Sequence, residues 1–263
     1  MQRRASLALV SLVLAPAAAA ACGKKDDAGT VAPAASALAS SSADPAAAAW
    51  HFVIDPKSAT HVDMPGLKEH IEADTSAAAG TLDVTPADLT QSRGLVRIDL
   101  TTFETHTFAN ADDATQTRHA RTWLEAAVDG KTNEDMRWAD FAIRSVDNAS
   151  ARDLAKVAPT RDGADDVRTV TLTVHGDLLL HGHKVQKDDV VDVAFRYPSG
   201  AAPDSKPARI QVKSRQPLHV VLKEHDIRPR DPAGQALAWT TSLISKVAET
   251  GDVTFDLGAT PAP

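Results

Sequence analysis

The run TVHGDLLLHGHKV (173–185) brings His175, His181 and His183 close together along the chain. Imidazoles at short spacing are the raw material of a zinc site, which needs three or four donors converging on one ion. On one extended strand, His175 and His181 stand about 20 Å apart at about 3.3 Å per residue, too far to share a metal. His181 and His183 reach one ion only if further ligands come from elsewhere. Gly182 offers the positive φ that a tight hairpin connection requires. The expectation is a β-hairpin with His183 in its turn and solvent-facing imidazoles, and no metal.

Other chemistry is sparsely signalled. The sequence has no Gly-x-Ser-x-Gly elbow, no phosphate loop and no His-Glu-x-x-His. No catalytic residue and no cofactor are therefore expected. Arg118 and Arg121, flanking His119, are the candidates for holding a phosphate-bearing head group, because guanidinium pairs well with such oxygens. The competing reading is a solvated helix face. A net charge of −7 over 263 residues argues against a nucleic-acid partner.

The elements that must position these residues are strands. From residue 50 onward, apolar and polar residues alternate with period two, the mark of a strand with one buried face. WHFVID and AAGTLDV open the series. In RGLVRIDL, Val96, Ile98 and Leu100 face one way and Arg97 and Asp99 the other. RWADFAIRSV repeats this with Phe141 and Ile143. VRTVTLTVHGDLLLHG sets Val170, Leu172, Val174, Leu178 and Leu180 on one face, and VVDVAFRYP answers with Val191, Val193, Phe195 and Tyr197. ARIQVKSRQPLHVVLKE contributes Ile210, Val212, Leu218, Val220 and Leu222, and GDVTFDLG closes the chain with Val253, Phe255 and Leu257.

About eight one-sided strands predict an all-β domain, and eight antiparallel strands can close into a barrel that leaves no edge. Such a barrel is filled by side chains or holds one slender ligand. The residues expected to line it are the inward ones of 96–100, 172–180, 191–197 and 218–222. Two stretches, 113–128 and 234–249, break the period and read as short helices.

The N-terminus reads as an export signal over 1–21, with Arg3 and Arg4 before an apolar, small-residue run. Cys22, the single cysteine, follows Ala19-Ala20-Ala21 in a position that resembles a bacterial lipobox. Acylation there would tether the protein to a membrane; the alternative is cleavage after one of the alanines. Residues 22–49 are rich in Ala, Ser, Pro and Asp, cannot bury a core and read as a flexible tether. The folded domain is expected over 50–263.

Three stretches resemble the YceI-like family of bacterial envelope proteins. They are GTLDVTPADLTQSRGLVRIDLTTFET (80–105), VTLTVHGDLLLHGHKVQKDDVVDVAFRY (170–197) and the ending VAETGDVTFDLGAT. The central block carries most of the resemblance, through Gly176, Asp177, Leu178, His181, Gly182 and Lys184. What the resemblance implies is a lipocalin-like barrel in the periplasm that binds a polyisoprenoid or similar amphiphile in its lumen. The rival expectation is a filled barrel with a structural or adaptor role.

Overall fold

A computed structural model describes residues 49–65, 70–108, 111–202, 204–231, 235–237 and 248–263. The expected export signal, the expected tether up to residue 48 with Cys22, and most of the stretch 234–249 expected to be helical lie outside the described residues.

Among the described residues the chain folds as an up-and-down meander of eight staves. The first is β1 (Trp50–Ile54) running into β2 (Ala59–Pro65), the second β3 (His70–Thr75) into β4 (Ala78–Val84), and the third β5 (Arg93–Asp99) into β6 (Glu104–Thr105). Helix α1 (Ala111–Trp123) and a small hairpin, β7 (Ala127–Val128) and β8 (Lys131–Thr132), lead to the fourth, β9 (Trp138–Asp147). A short flanking strand, β10 (Thr160–Asp162), precedes the fifth, β11 (Asp165–Leu180), and the sixth is β12 (His183–Pro198). The seventh is β13 (Arg209–Ser214) with β14 (Leu218–Val221), and the eighth is β15 (Thr250–Pro261).

Each stave pairs antiparallel with the next, and β15 returns to the first stave, with Ala259 opposite Ile54 and Val253 opposite Val62. The ring therefore closes and leaves none of its long strands as a free edge. Several staves bend where pairing lapses; Pro56 and Pro217, which lack the backbone N–H that a ladder needs, sit at two of those bends.

One end of the barrel is plugged by its own side chains. The 3₁₀ turns Leu89–Gln91 and Leu154–Lys156 are knit together by Leu89 N–H donating to the Arg152 carbonyl and Leu154 N–H to that of Pro86. They drive Leu89 and Leu154 into the core beside Phe52, Phe195 and Ile210. A second apolar cluster, including Leu100, Leu178, Leu180, Val220 and Ile227, lies toward the α1 end.

Four sequence expectations change. Residues 59–75, not read as strands, form the hairpin of β2 and β3. The helix expected over 113–128 ends at Trp123, because Glu125 takes a left-handed backbone (φ 53°) and turns its carboxylate to His181. The hairpin turn consists of His181 (φ 52°) and Gly182 (φ 74°), so His183 opens β12 instead of occupying the turn. His181 itself is buried rather than solvent-facing.

Candidate functional site

The inward faces of the staves enclose a cavity of about 520 Å³. Val96, Ile98 and Leu100 line it from the third stave, and Leu172, Val174, Leu178 and Leu180 from the fifth. Val191, Val193 and Phe195 line it from the sixth, and Leu218, Val220 and Leu222 from the seventh and the turn after it. Each of these reaches the same space. The reason is local: side chains alternate across a pleat, so one buried contact fixes the orientation of the whole strand. Tyr197, also expected to do so, is instead buried in the core cluster beside Arg168 and does not line the cavity. Arg97 and Asp99 stay outside. Arg97 donates to Asp140 (2.8 Å), Arg137 pairs with Asp99 (2.6 Å), and both guanidinium groups lie against Trp138.

Parity alone does not reveal the rest of the wall. Met64 and Ile71 come from the β2–β3 hairpin, and Phe103, Gln116, His119, Trp123 and Leu124 from α1 and the segments on either side of it. The two candidate head-group arginines do not line the cavity. Arg118 is exposed on α1, and Arg121 donates to the Phe103 carbonyl (2.8 Å) with Glu104 3.7 Å away. Helical spacing explains the substitution: Gln116, His119, Ala120 and Trp123 form one stripe, and the arginines fall beside it.

The polar groups on the cavity wall are mostly satisfied within the wall. Thr60 and Thr75 bond each other (2.8 Å), and Arg93 donates to the carbonyls of Thr90 and Ser92. Two are exceptions: Gln116, whose side-chain oxygen has no hydrogen-bond partner, and Asp189. Asp189 lies opposite Val174 on the inward face of β12 and is 3 % exposed; neither carboxylate oxygen has a well-formed hydrogen bond, and only the adjacent Val190 N–H bears on it. Burial pushes its pKa up to about 6.

The histidine-rich run is built for structure. Gly176 lies beneath the Phe141 ring, and Leu178 faces the cavity. Asp177 accepts from Arg144 (2.9 Å), which the β9–β11 register shift sets apart, with Lys184 3.8 Å away. His181 turns one ring nitrogen to the His225 carbonyl (2.9 Å) and the other to Glu125 (2.7 Å), which also pairs with Arg230 (2.9 Å). His175 faces outward between Asp188 (2.7 Å) and Asp147 (3.1 Å). Among the described residues, no three His, Cys, Asp or Glu side chains converge as a metal site.

An apolar, closed-sided cavity of this size accommodates one slender apolar molecule. Two solved structures share the architecture. A polyisoprenoid binding domain from Saccharophagus degradans, implicated in plant cell wall breakdown, superposes with a TM-score of 0.50 at 16 % identity, covering 80 % of this chain and 98 % of that one. BcnA of Burkholderia cenocepacia superposes with a TM-score of 0.50 at 16 % identity, covering 79 % and 99 %. The chain has the YceI-like, lipocalin-like barrel fold. The YceI-like resemblance in the sequence thus holds at the level of architecture. No protein-family model and no curated protein matches the sequence.

Proposed function

We propose that this protein binds a single amphiphile in the barrel, with an isoprenoid quinone or polyprenyl lipid as the class of ligand. The observation that carries this reading is the cavity of about 520 Å³ lined by the apolar faces of successive staves. A barrel with a purely structural role would close that space with larger side chains, since interiors otherwise pack without voids. Each ligand methylene moved from water into the cavity contributes about 0.8 kcal/mol, so tail burial alone can supply tight binding. The polyisoprenoid binding domain with the same architecture supports this choice of ligand class.

The test is a titration of the purified protein with diphenylhexatriene, an apolar dye that fluoresces when removed from water, followed by displacement with a short-chain ubiquinone or a polyprenyl alcohol. Saturable dye binding and competitive loss of signal are expected. Absence of any saturable binding would count against the proposal.

The proposal includes export and anchoring. Signal cleavage before Cys22 and acylation of its thiol would leave the barrel on a tether of about 30 Å root-mean-square span at a periplasmic membrane surface. A membrane-associated protein that turns soluble in Cys22→Ser supports this step. An N-terminus mapped downstream of Cys22 contradicts it.

A further inference from the structure

Asp189 is the polar group on the cavity wall that the wall itself leaves unsatisfied in both oxygens. It faces the lumen where the neighbouring stave is interrupted, between Ser214 at the end of β13 and Leu218 at the start of β14. Opposite it stands Val174, and next along its own inward face stands Val191. A carboxyl placed among such neighbours loses its water and gains only the adjacent Val190 N–H, which does not offset the burial, so it destabilises the empty barrel. Valine at 189 would continue the alternation and fill the position without that loss.

We propose that Asp189 is the anchor for a hydrogen-bond donor, a hydroxyl or an amine, carried by an otherwise apolar ligand. This rests on the reading of the barrel as a ligand-binding cavity. Several independent features point the same way. The side chain is almost wholly buried, yet it borders open space. Neither oxygen has a well-formed hydrogen bond, so the carboxylate has acceptor capacity to offer. Its position inside the barrel, and not at the rim, places the ligand's donor within the apolar length. The other charged or titratable side chains on the wall, Arg93 and His119, come from the third stave and from α1, and Arg93 is engaged with backbone carbonyls. The raised pKa of Asp189 has the same origin, since desolvation favours the neutral form. A donor from the ligand would replace the missing solvent and favour the carboxylate.

The experiment uses the full chain and three probes of one chain length: 1-dodecanol, dodecylamine and 1-methoxydodecane, which has no donor. Each is measured by displacement of diphenylhexatriene at pH 7.5. The wild type is expected to bind the alcohol and the amine at least tenfold tighter than the ether. In D189V that preference disappears, while the ether binds as well as before or better. D189N, which keeps a neutral acceptor, retains part of the alcohol preference and loses that for the amine. An alcohol and amine preference that survives D189V overturns the anchor while leaving the binding cavity intact, as does a wild type that binds all three equally. Failure of the dye and all probes to bind overturns the cavity reading, and this inference with it.

Discussion

A Cβ on Gly176 would stand 2.5 Å from Cζ of Phe141 and 2.7 Å from the carbonyl oxygen of Ala142. The Phe141 ring crosses the strand where the side chain is missing, and Phe141 also lines the cavity. The glycine of the central motif therefore exists to let a neighbouring ring lie flat against the wall. Gly176→Ala is expected to cost about 1–3 kcal/mol, the usual range for overpacking. In a double-mutant cycle with Phe141→Leu, part of that cost should return, because the ring carries the 2.5 Å contact and the backbone carbonyl keeps the 2.7 Å one. An unchanged unfolding midpoint for Gly176→Ala would contradict this packing.

His181 and His183 stand two residues apart and should respond very differently. His181 joins the hairpin turn to Glu125 and to the carbonyl of His225, so His181→Ala removes a partner from each, leaves Glu125 with Arg230, and is expected to cost about 1–3 kcal/mol. His183 is exposed, and His183→Ala should stay within about 0.5 kcal/mol of the wild type. Urea midpoints measured side by side decide the point; equal losses would contradict it.

Two groups should lower stability as pH rises, against buried His225, whose pKa is held below 6.5 by burial and which adds stability as pH climbs to 6.5. Asp189 is raised from 3.8 to about 6 by burial, so its contribution is fully present below about pH 4 and is lost as pH passes through 6. His175 is raised above its ordinary 6.5 by hydrogen bonds to Asp188 and Asp147, so its contribution is fully present below 6.5 and is lost as pH climbs through the higher folded value. Denaturation midpoints across pH 4 to 9 should show the lower part of the decline vanish in D189N and the upper part in H175Q. A lower decline that persists in D189N would contradict the assignment.

Much of this architecture is legible in the sequence because period-two alternation carries both element type and face. Val96, Ile98 and Leu100 or Val191, Val193 and Phe195 need no tertiary information to be assigned inward. Asp189 lies on that same inward face, two residues before Val191. A rule that admits apolar residues to the lumen passes over a carboxylate there, although its parity was available. The β2–β3 hairpin is less legible because its two runs are short and the inward side that carries Val62, Met64, Ile71 and Ala73 also carries Thr60 and Thr75. The end of α1 is set by the distant partners of Glu125, His181 and Arg230, which no local pattern contains. The same holds for Arg118 and Arg121, whose helix is legible but whose orientation is set by packing.

Filling the cavity should abolish binding without unfolding the barrel. Val96→Phe and Val174→Phe each direct a ring toward the open space. Diphenylhexatriene affinity is expected to fall at least tenfold for each, with melting temperatures unchanged within a few degrees or raised. Retained affinity in both variants would place the dye elsewhere on the protein.

The most direct measurement is native mass spectrometry of the full chain purified from a bacterial envelope, followed by organic extraction of what it carries. The account predicts one discrete added mass per barrel that extracts as an isoprenoid lipid and is absent from Val174→Phe. A bare polypeptide mass that stays unchanged after incubation with quinones and polyprenyl phosphates would contradict it.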